Sequence, residues 1–145
     1  MTRVDFYSLA DVDLEARCRF ACRLAHIAVA RGQRVHVHVT DADAAQDLDA
    51  LMWEYPDHRF LPHGIRGEPA SRNAPVIIGH GEPDSGAEQL LINLSAEIPA
   101  FFGRFDRVAE IVVQNLRKDG RDRYKYYRDH GYPLFHHALD DWEDR

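Results

Sequence analysis

The sequence predicts a three-layer α/β sandwich with a largely parallel central sheet, and three observations lead to this fold class. Short apolar or alternating runs, typical of strands, recur along the chain. The first run is followed by a segment in which apolar residues recur at helical spacing, and the second by a segment with an N-cap residue, early acids and good helix formers. The length of 145 residues and the hydrophobic share of 45% suit one globular domain. Strands that alternate with helices favour parallel pairing, with helices on the faces of the sheet.

The first half of the chain reads as two strand-helix units. The alternating run RVDFYSL predicts a first strand, and apolar spacing predicts a helix over residues 13–31 that Gly32 ends. The β-branched run QRVHVHV predicts a second strand. A second helix is expected over residues 40–53, with Thr40 as its N-cap.

The second half supplies the remaining predicted elements. A final helix is expected from Leu116 to Asp129, and residues 59–75, rich in Pro and Gly, are expected to form a surface loop. Residues 1–145 are predicted to form a single α/β domain, in which residues 135–145 are a polar C-terminal tail. The further predicted strands are APVIIGH, QLLINL and RVAEIVV.

The predicted fold is Rossmann-like but lacks a nucleotide-binding glycine loop. The first strand-helix turn reads SLADVDLEAR, with no glycine and three acidic residues where a pyrophosphate needs free backbone N–H groups. No GxxxxGK[ST] or GxSxG motif occurs in the chain. We therefore expect neither a cofactor nor a catalytic site.

Three residues of the first helix and two of the second strand are potential metal ligands. One helix face cannot surround a tetrahedral ion, so small apolar cysteines facing the sheet explain the helical residues better than a metal site does. The five residues are Cys18, Cys22, His26, His36 and His38.

We expect both cysteines to be reduced and the protein to be cytoplasmic, because no signal sequence and no membrane-length apolar run is visible.

The final helix is cationic although the chain has a net charge of −6. Residues 117–128 hold six basic and two acidic residues, so this segment carries +4 and the rest of the chain −10. Such a helix suits an anionic ligand, either an acidic peptide or single-stranded nucleic acid. Nucleic acid calls for several stacking aromatic residues, so the sequence favours the peptide. Five residues fall within an arc of about 100°: Arg117, Arg121, Tyr124, Lys125 and Arg128.

Aromatic residues also cluster after the second helix. Trp53 is expected at the helix end and Phe60 in the following loop, with Tyr55 between them. They either cover the end of the core or form an anchor for another protein.

Several segments, in order from about residue 4 to residue 134, resemble one known family. They are FYSL, LDALMW, FLPHGIRGE, APVIIGH, LLINL and RDRYKYYRDHGYPL. Together they resemble the chi subunit of bacterial DNA polymerase III holoenzyme. The resemblance implies an α/β fold without a nucleotide site and a non-catalytic subunit. It also implies an adaptor that links the clamp-loader complex to the acidic, Phe-ended tail of single-stranded DNA-binding protein, so that contact with nucleic acid is mostly indirect.

The resemblance also implies two sets of site residues. Trp53 and Phe60 would contact the psi subunit of the clamp loader, or a helicase that competes for the same surface. The tail would bind at Arg121, which holds its carboxylate, with Lys125, Arg117 and Arg128 nearby, and its Phe would lie among Val112, Tyr124 and Leu134.

Overall fold

Seven parallel strands form one sheet in the computed structural model, which describes residues 1–55, 60–84, 88–140 and 142–144. The strands are β1 Arg3–Leu9, β2 Val35–His38, β3 His63–Ile65, β4 Val76–Gly79, β5 Leu90–Asn93, β6 Arg107–Val112 and β7 Leu134–Leu139. Their order across the sheet is β3-β4-β2-β5-β6-β1-β7, and every neighbouring pair is parallel.

Helices cover both faces of this sheet. The helices are α1 Leu14–Ala30, α2 Ala42–Glu54 and α3 Arg117–Asp129. Apolar residues of α1 and α2 form the core on one face, while Tyr127 of α3 and Phe102 of a short turn form the core on the other. No helix in the described ranges is both long and apolar enough to cross a membrane. The predicted three-layer α/β sandwich with a parallel sheet is therefore confirmed.

Aspartate side chains define where the first two helices begin. Asp13 accepts a hydrogen bond from the Ala16 N–H at 2.9 Å. The predicted N-cap Thr40 is wrong by one residue, because Asp41 accepts from the Ala44 N–H at 2.8 Å. A carboxylate at this position also interacts favourably with the positive end of the helix dipole.

A third strand lies within the predicted surface loop. β3 spans only His63–Ile65 and pairs with β4, so the loop prediction is wrong there; residue 59 of that loop lies outside the described residues. A Cβ on Gly64 would lie 2.4 Å from the backbone of Ala70, so the chain packs where only glycine fits. A three-residue strand with a central glycine carries almost no strand signal.

The predicted polar tail contains the seventh strand, so a tail is wrong for this part of the chain. β7 pairs along β1, from Val4 with Leu134 to Leu9 with Leu139. Residues 141 and 145 of the predicted tail lie outside the described residues.

The last described residues are fastened to the helical layer. The Trp142 ring packs edge-on against Phe20 with centroids 5.2 Å apart, and its Nε1 donates to the Asp11 carboxylate at 2.8 Å. Glu143 accepts hydrogen bonds from Arg19 and from the Tyr55 hydroxyl. These contacts join the end of the chain to α1 and to the end of α2.

The potential metal ligands lie on opposite faces of the sheet. Cys22 is buried in the α1 core and Cys18 packs against that core, whereas His36 and His38 lie near Phe101 on the other face. Burial raises the pKa of the Cys22 thiol to about 12. In the described part of the chain no group of three His, Cys, Asp or Glu residues is arranged to hold a metal ion.

We predict that Trp142→Ala lowers the free energy of unfolding by about 3–5 kcal/mol, because it removes a buried ring and leaves a cavity. Trp142 is 5% exposed, whereas the other tryptophan, Trp53, is 57% exposed. Urea unfolding measures both variants, and Trp53→Ala is the matched control with an expected effect within about 0.5 kcal/mol. If Trp142→Ala lowered the free energy of unfolding as little as Trp53→Ala is expected to do, the C-terminal segment would not stabilise the fold.

Acid is expected to destabilise the fold through His36, whose ring is buried beside Phe101 and Phe105. Burial, then repulsion from His38 and Arg66, lowers the pKa of His36 to about 4. In the unfolded chain this histidine takes up a proton near pH 6.5. The free energy of unfolding is therefore highest above that pH and falls between about pH 6.5 and pH 4, by at most about 3 kcal/mol.

Urea unfolding at pH 7.5 and at pH 5 tests this expectation. His36→Phe removes the titrating group and should reduce the loss of stability on acidification. The control His130→Gln changes an exposed ring and should leave the loss unchanged. An identical pH response of His36→Phe and the unchanged chain would contradict the assignment.

Candidate peptide-binding site

A buried carboxylate fixes α3 against the sheet. Glu110 of β6 is 1% exposed and accepts hydrogen bonds from Asn93 Nδ2 at 2.9 Å and from the Tyr127 hydroxyl at 2.8 Å. Arg123 Nη1 donates to the same carboxylate at 2.7 Å, and its Nη2 donates to the Ser95 carbonyl. Burial, together with the Glu110 charge, raises the pKa of Tyr127 far above its usual value. One of the six basic residues of this segment, Arg123, is therefore an internal ion-pair partner.

A glycine allows the first half of α3 to lie close to the sheet. A Cβ on Gly120 would lie 3.0 Å from both methyl carbons of Val112. Glycine inside a helix costs about 1 kcal/mol relative to alanine, so its use here is explained by the close approach. The approach brings the basic surface of α3 next to β6 and β1.

A groove of about 600 Å³ runs between α3 and the β1–β7 half of the sheet. The Phe6 and Tyr124 rings meet edge to face in this groove, with centroids 5.3 Å apart. Ser8 Oγ and His136 Nε2 are hydrogen-bonded at 2.8 Å. The lining residues are Phe6, Ser8, Val112, Arg117, Gly120, Arg121, Tyr124, His136 and Ala138.

The groove combines apolar walls with two available guanidinium groups. Arg117 and Arg121 are exposed, and neither forms an ion pair or a side-chain hydrogen bond within the described ranges. No carboxylate of the described residues lines the groove. Guanidinium groups match a carboxylate or phosphate with two parallel hydrogen bonds, and the apolar walls suit one hydrophobic side chain.

The structure brings four of the predicted tail-site residues together at this groove, Val112, Arg117, Arg121 and Tyr124. The other three lie outside its lining. Lys125 and Arg128 are exposed elsewhere on α3, and Arg128 lies 3.5 Å from the Asp129 carboxylate. Leu134 is half-buried and packs against the core beneath α3.

Four lining residues from the strands are absent from the sequence-based set, namely Phe6, Ser8, His136 and Ala138. Alternation along the first strand places Phe6 and Ser8 on one face, but it does not say which helix covers that face. Finding His136 and Ala138 required recognition of β7 as a strand. Gly120 carried a usable signal, because an isolated glycine in a helix often marks close packing.

This chain's own side chains occupy part of the crevice where Rossmann-like sheets hold nucleotides. Arg17 is 8% exposed and donates to the carbonyl oxygens of Asn93, Leu94 and Ile111 at the carboxyl ends of β5 and β6. The Asp13 carboxylate caps the N-terminus of α1, where a pyrophosphate would bind in a dinucleotide-binding fold. Both features agree with the predicted lack of a nucleotide-binding loop.

A second exposed feature lies at the far edge of the sheet from β7. Trp53 and Phe60 are 57% and 70% exposed, with ring centroids 6.0 Å apart. The Trp53 ring also lies 4.7 Å from the ring of His63, which is buried in β3. We call Trp53 and Phe60 the aromatic patch. It projects from the surface, while His63 and Leu61 beneath it are buried.

Comparison with known proteins identifies the family. The family model described as "DNA polymerase III chi subunit, HolC" matches residues 1–135. Proteins named DNA polymerase III subunit chi are similar to this chain in three bacteria. The Pseudomonas aeruginosa protein is 43% identical over 96% of this chain and 98% of its own length. The Escherichia coli protein is 32% identical over 92% and 96%, and the Haemophilus influenzae protein 31% over 79% and 81%. The chain therefore belongs to the DNA polymerase III chi subunit family, whose members are accessory subunits in DNA replication.

Proposed function

We propose that this protein is a non-catalytic, cytoplasmic adaptor of the DNA polymerase III holoenzyme that binds the acidic, Phe-ended C-terminal tail of single-stranded DNA-binding protein. Through this contact it links the clamp-loader complex to the protein that coats the template. The observation that supports this most is the groove in which Arg117 and Arg121 stand beside Tyr124, Phe6 and Val112.

The chemistry of the groove suits the end of a peptide better than an internal segment. A terminal Phe carries its carboxylate and its ring on the same residue, so one guanidinium and one apolar wall within a single groove satisfy both groups. Arg121 and Tyr124 are three residues apart and Arg117 and Arg121 four apart, so all three lie on one face of α3. In our proposal Arg121 holds the carboxylate, Arg117 assists it, and the ring packs on Tyr124 and Val112.

Affinity for a single tail is expected to be modest. Ordering a disordered tail offsets much of the gain from one ring and one carboxylate, so we expect micromolar dissociation constants. Several tails on one oligomeric partner raise the apparent affinity, because the later contacts are intramolecular. Salt should weaken binding, since the groove lies at the surface and its guanidinium groups are screened.

The aromatic patch is our candidate for the second partner. Large exposed aromatic residues are typical anchors of protein interfaces, and this pair lies at the opposite edge of the sheet from the groove. We propose that the patch binds the psi subunit of the clamp loader or a helicase that competes for it. With the two surfaces far apart, one molecule has room for both partners, as an adaptor requires.

Direct binding of single-stranded nucleic acid by α3 is the alternative. It predicts a steep salt dependence with labelled oligonucleotides and no protein partner present. Only two ring side chains of α3, Tyr124 and Tyr126, are exposed, and Tyr126 is stacked on His130. Such a surface offers little to a run of bases, so the peptide is favoured.

Arg121→Ala is expected to weaken an acidic, Phe-ended peptide by about tenfold or more, because a charge-assisted hydrogen-bond pair is lost. Fluorescence anisotropy with a labelled peptide measures the change. Lys118→Ala removes the same charge from the same helix outside the groove lining, and it should change the affinity by less than about twofold. Equal losses of affinity in the two variants would show that binding depends on the net charge of the helix and not on the groove. Unaltered binding by Arg121→Ala would exclude the proposed site.

At the aromatic patch, Trp53→Ala is expected to weaken binding of purified psi subunit by about thirtyfold, the size typical of an interface anchor. Isothermal titration calorimetry measures this affinity, and the acidic peptide should bind the variant as before. Ile27→Ala, which shortens an exposed apolar residue of α1, is the matched control. Full psi affinity in Trp53→Ala would assign the psi contact to another surface.

A further inference from the structure

β7 is a free edge of the sheet. It is the last strand in the sheet order, and among the residues that the structure describes it pairs only with β1. In β1, the Val4 N–H donates to the backbone carbonyl of Pro133, which precedes β7. The N–H of the preceding residue, Arg3, points to the other side of β1 and donates to the backbone carbonyl of Asp106, which precedes β6. In a parallel ladder this register directs the backbone groups of Phe135, His137 and Leu139 toward β1.

The alternate residues of β7 therefore direct their backbone groups away from the sheet. These residues are Leu134, His136 and Ala138, and no backbone or side-chain hydrogen bond to their outward groups occurs within the described ranges. An edge of this kind is a template for another extended chain.

The usual protections of an edge strand are absent from β7. Its sequence LFHHAL contains no Lys, Glu, Asp, Arg, Pro or Gly, and its pairing with β1 runs without a bulge over six residues. Other proteins blunt such an edge with charges, proline or irregularity, so an uninterrupted edge of six residues is suited to a binding role.

The same residues line the groove. The side chains of His136 and Ala138 face the groove, and their backbone groups face outward along the edge. A peptide that leaves the groove over β7 meets these backbone groups directly. The charges nearby also suit an acidic chain, because Arg117 and Arg121 stand across the groove.

We infer that the acidic segment preceding the terminal Phe extends along β7 as an eighth strand of the sheet. This inference rests on the proposed function and adds a backbone contribution to it. Main-chain hydrogen bonds supply affinity with little dependence on sequence, while the groove selects the terminal residue. Two adjacent sites thus recognise one tail, the groove by charge and shape and the edge by its backbone.

Amide hydrogen exchange followed by NMR tests the inference residue by residue. On addition of an acidic, Phe-ended peptide we expect exchange at the His136 and Ala138 amides to slow by about tenfold or more. The Phe135, His137 and Leu139 amides already bond to β1 and serve as internal controls that should change little. If the peptide binds but slows exchange equally at all β7 amides, or at none of them, the inference is overturned.

Backbone substitutions give a second test. In an added strand, alternate N–H groups of the peptide face β7 and the others face solvent. Methylating an amide that faces β7 should weaken binding by about fivefold for each hydrogen bond lost, whereas methylating an amide that faces solvent should have little effect. In the protein, Ala138→Pro removes an outward N–H that β1 does not use, whereas Ala138→Val adds bulk at the same place and keeps the N–H. We expect Ala138→Pro to bind more weakly than Ala138→Val.

The outcomes separate this inference from the proposed function. A peptide that fails to bind the unchanged protein contradicts both. A peptide that binds, responds to Arg121→Ala and is insensitive to amide methylation overturns the eighth strand alone. Protection of His136 and Ala138 that depends on protein concentration without peptide would show that a second copy of the chain occupies the edge, and would also overturn it.

Discussion

The carboxylate of Glu110 is the constraint on which the candidate site depends. A carboxyl group that is 1% exposed requires partners, and three side chains donate to it, one from β5 and two from α3. Because Arg123 and Tyr127 both reach this point, the rotation of α3 about its axis is fixed. Residues two apart on a helix differ by about 200°, so an inward Arg123 directs Arg121 outward. The basic wall of the groove follows from a buried ion pair.

The opposite wall follows from the topology of the sheet. β1 lies between β6 and β7, so residues from the first strand of the chain meet residues from β6 and from the last strand at one groove. Trp142 and Glu143 then fasten the end of the chain to α1 and Tyr55. The aromatic patch lies near β3, at the other edge of the same sheet. A rigid parallel sheet thus separates two surfaces of different chemistry, one cationic and one aromatic.

The sequence predicted the features that depend on local patterns. Alternating or short apolar runs located β1, β2, β4, β5 and β6, helical spacing and capping signals located the helices, and the acidic turn before α1 excluded a nucleotide loop. Helical geometry also placed Arg117, Arg121 and Tyr124 on one face. Family resemblance added Val112, which no local pattern singles out.

Features that depend on long-range pairing were not predictable in this way. β3 is too short to show alternation, and β7 is interrupted by two histidines and followed by a charged segment, so it shows no clear strand pattern. Arg123 reads as one more surface cation because Glu110 lies on a different element, and its buried partner appears only when α3 is folded onto the sheet. The contributions of Ser8 and His136 to the groove likewise required the β1–β7 register.

A crystal structure of the protein bound to an acidic, Phe-ended peptide tests the central claim most directly. The account predicts the terminal carboxylate within hydrogen-bonding distance of the Arg121 guanidinium and the phenyl ring against Tyr124 and Val112, with the Glu110–Arg123 pair intact. A peptide bound on another surface, or one whose carboxylate has no contact with Arg121, would contradict it.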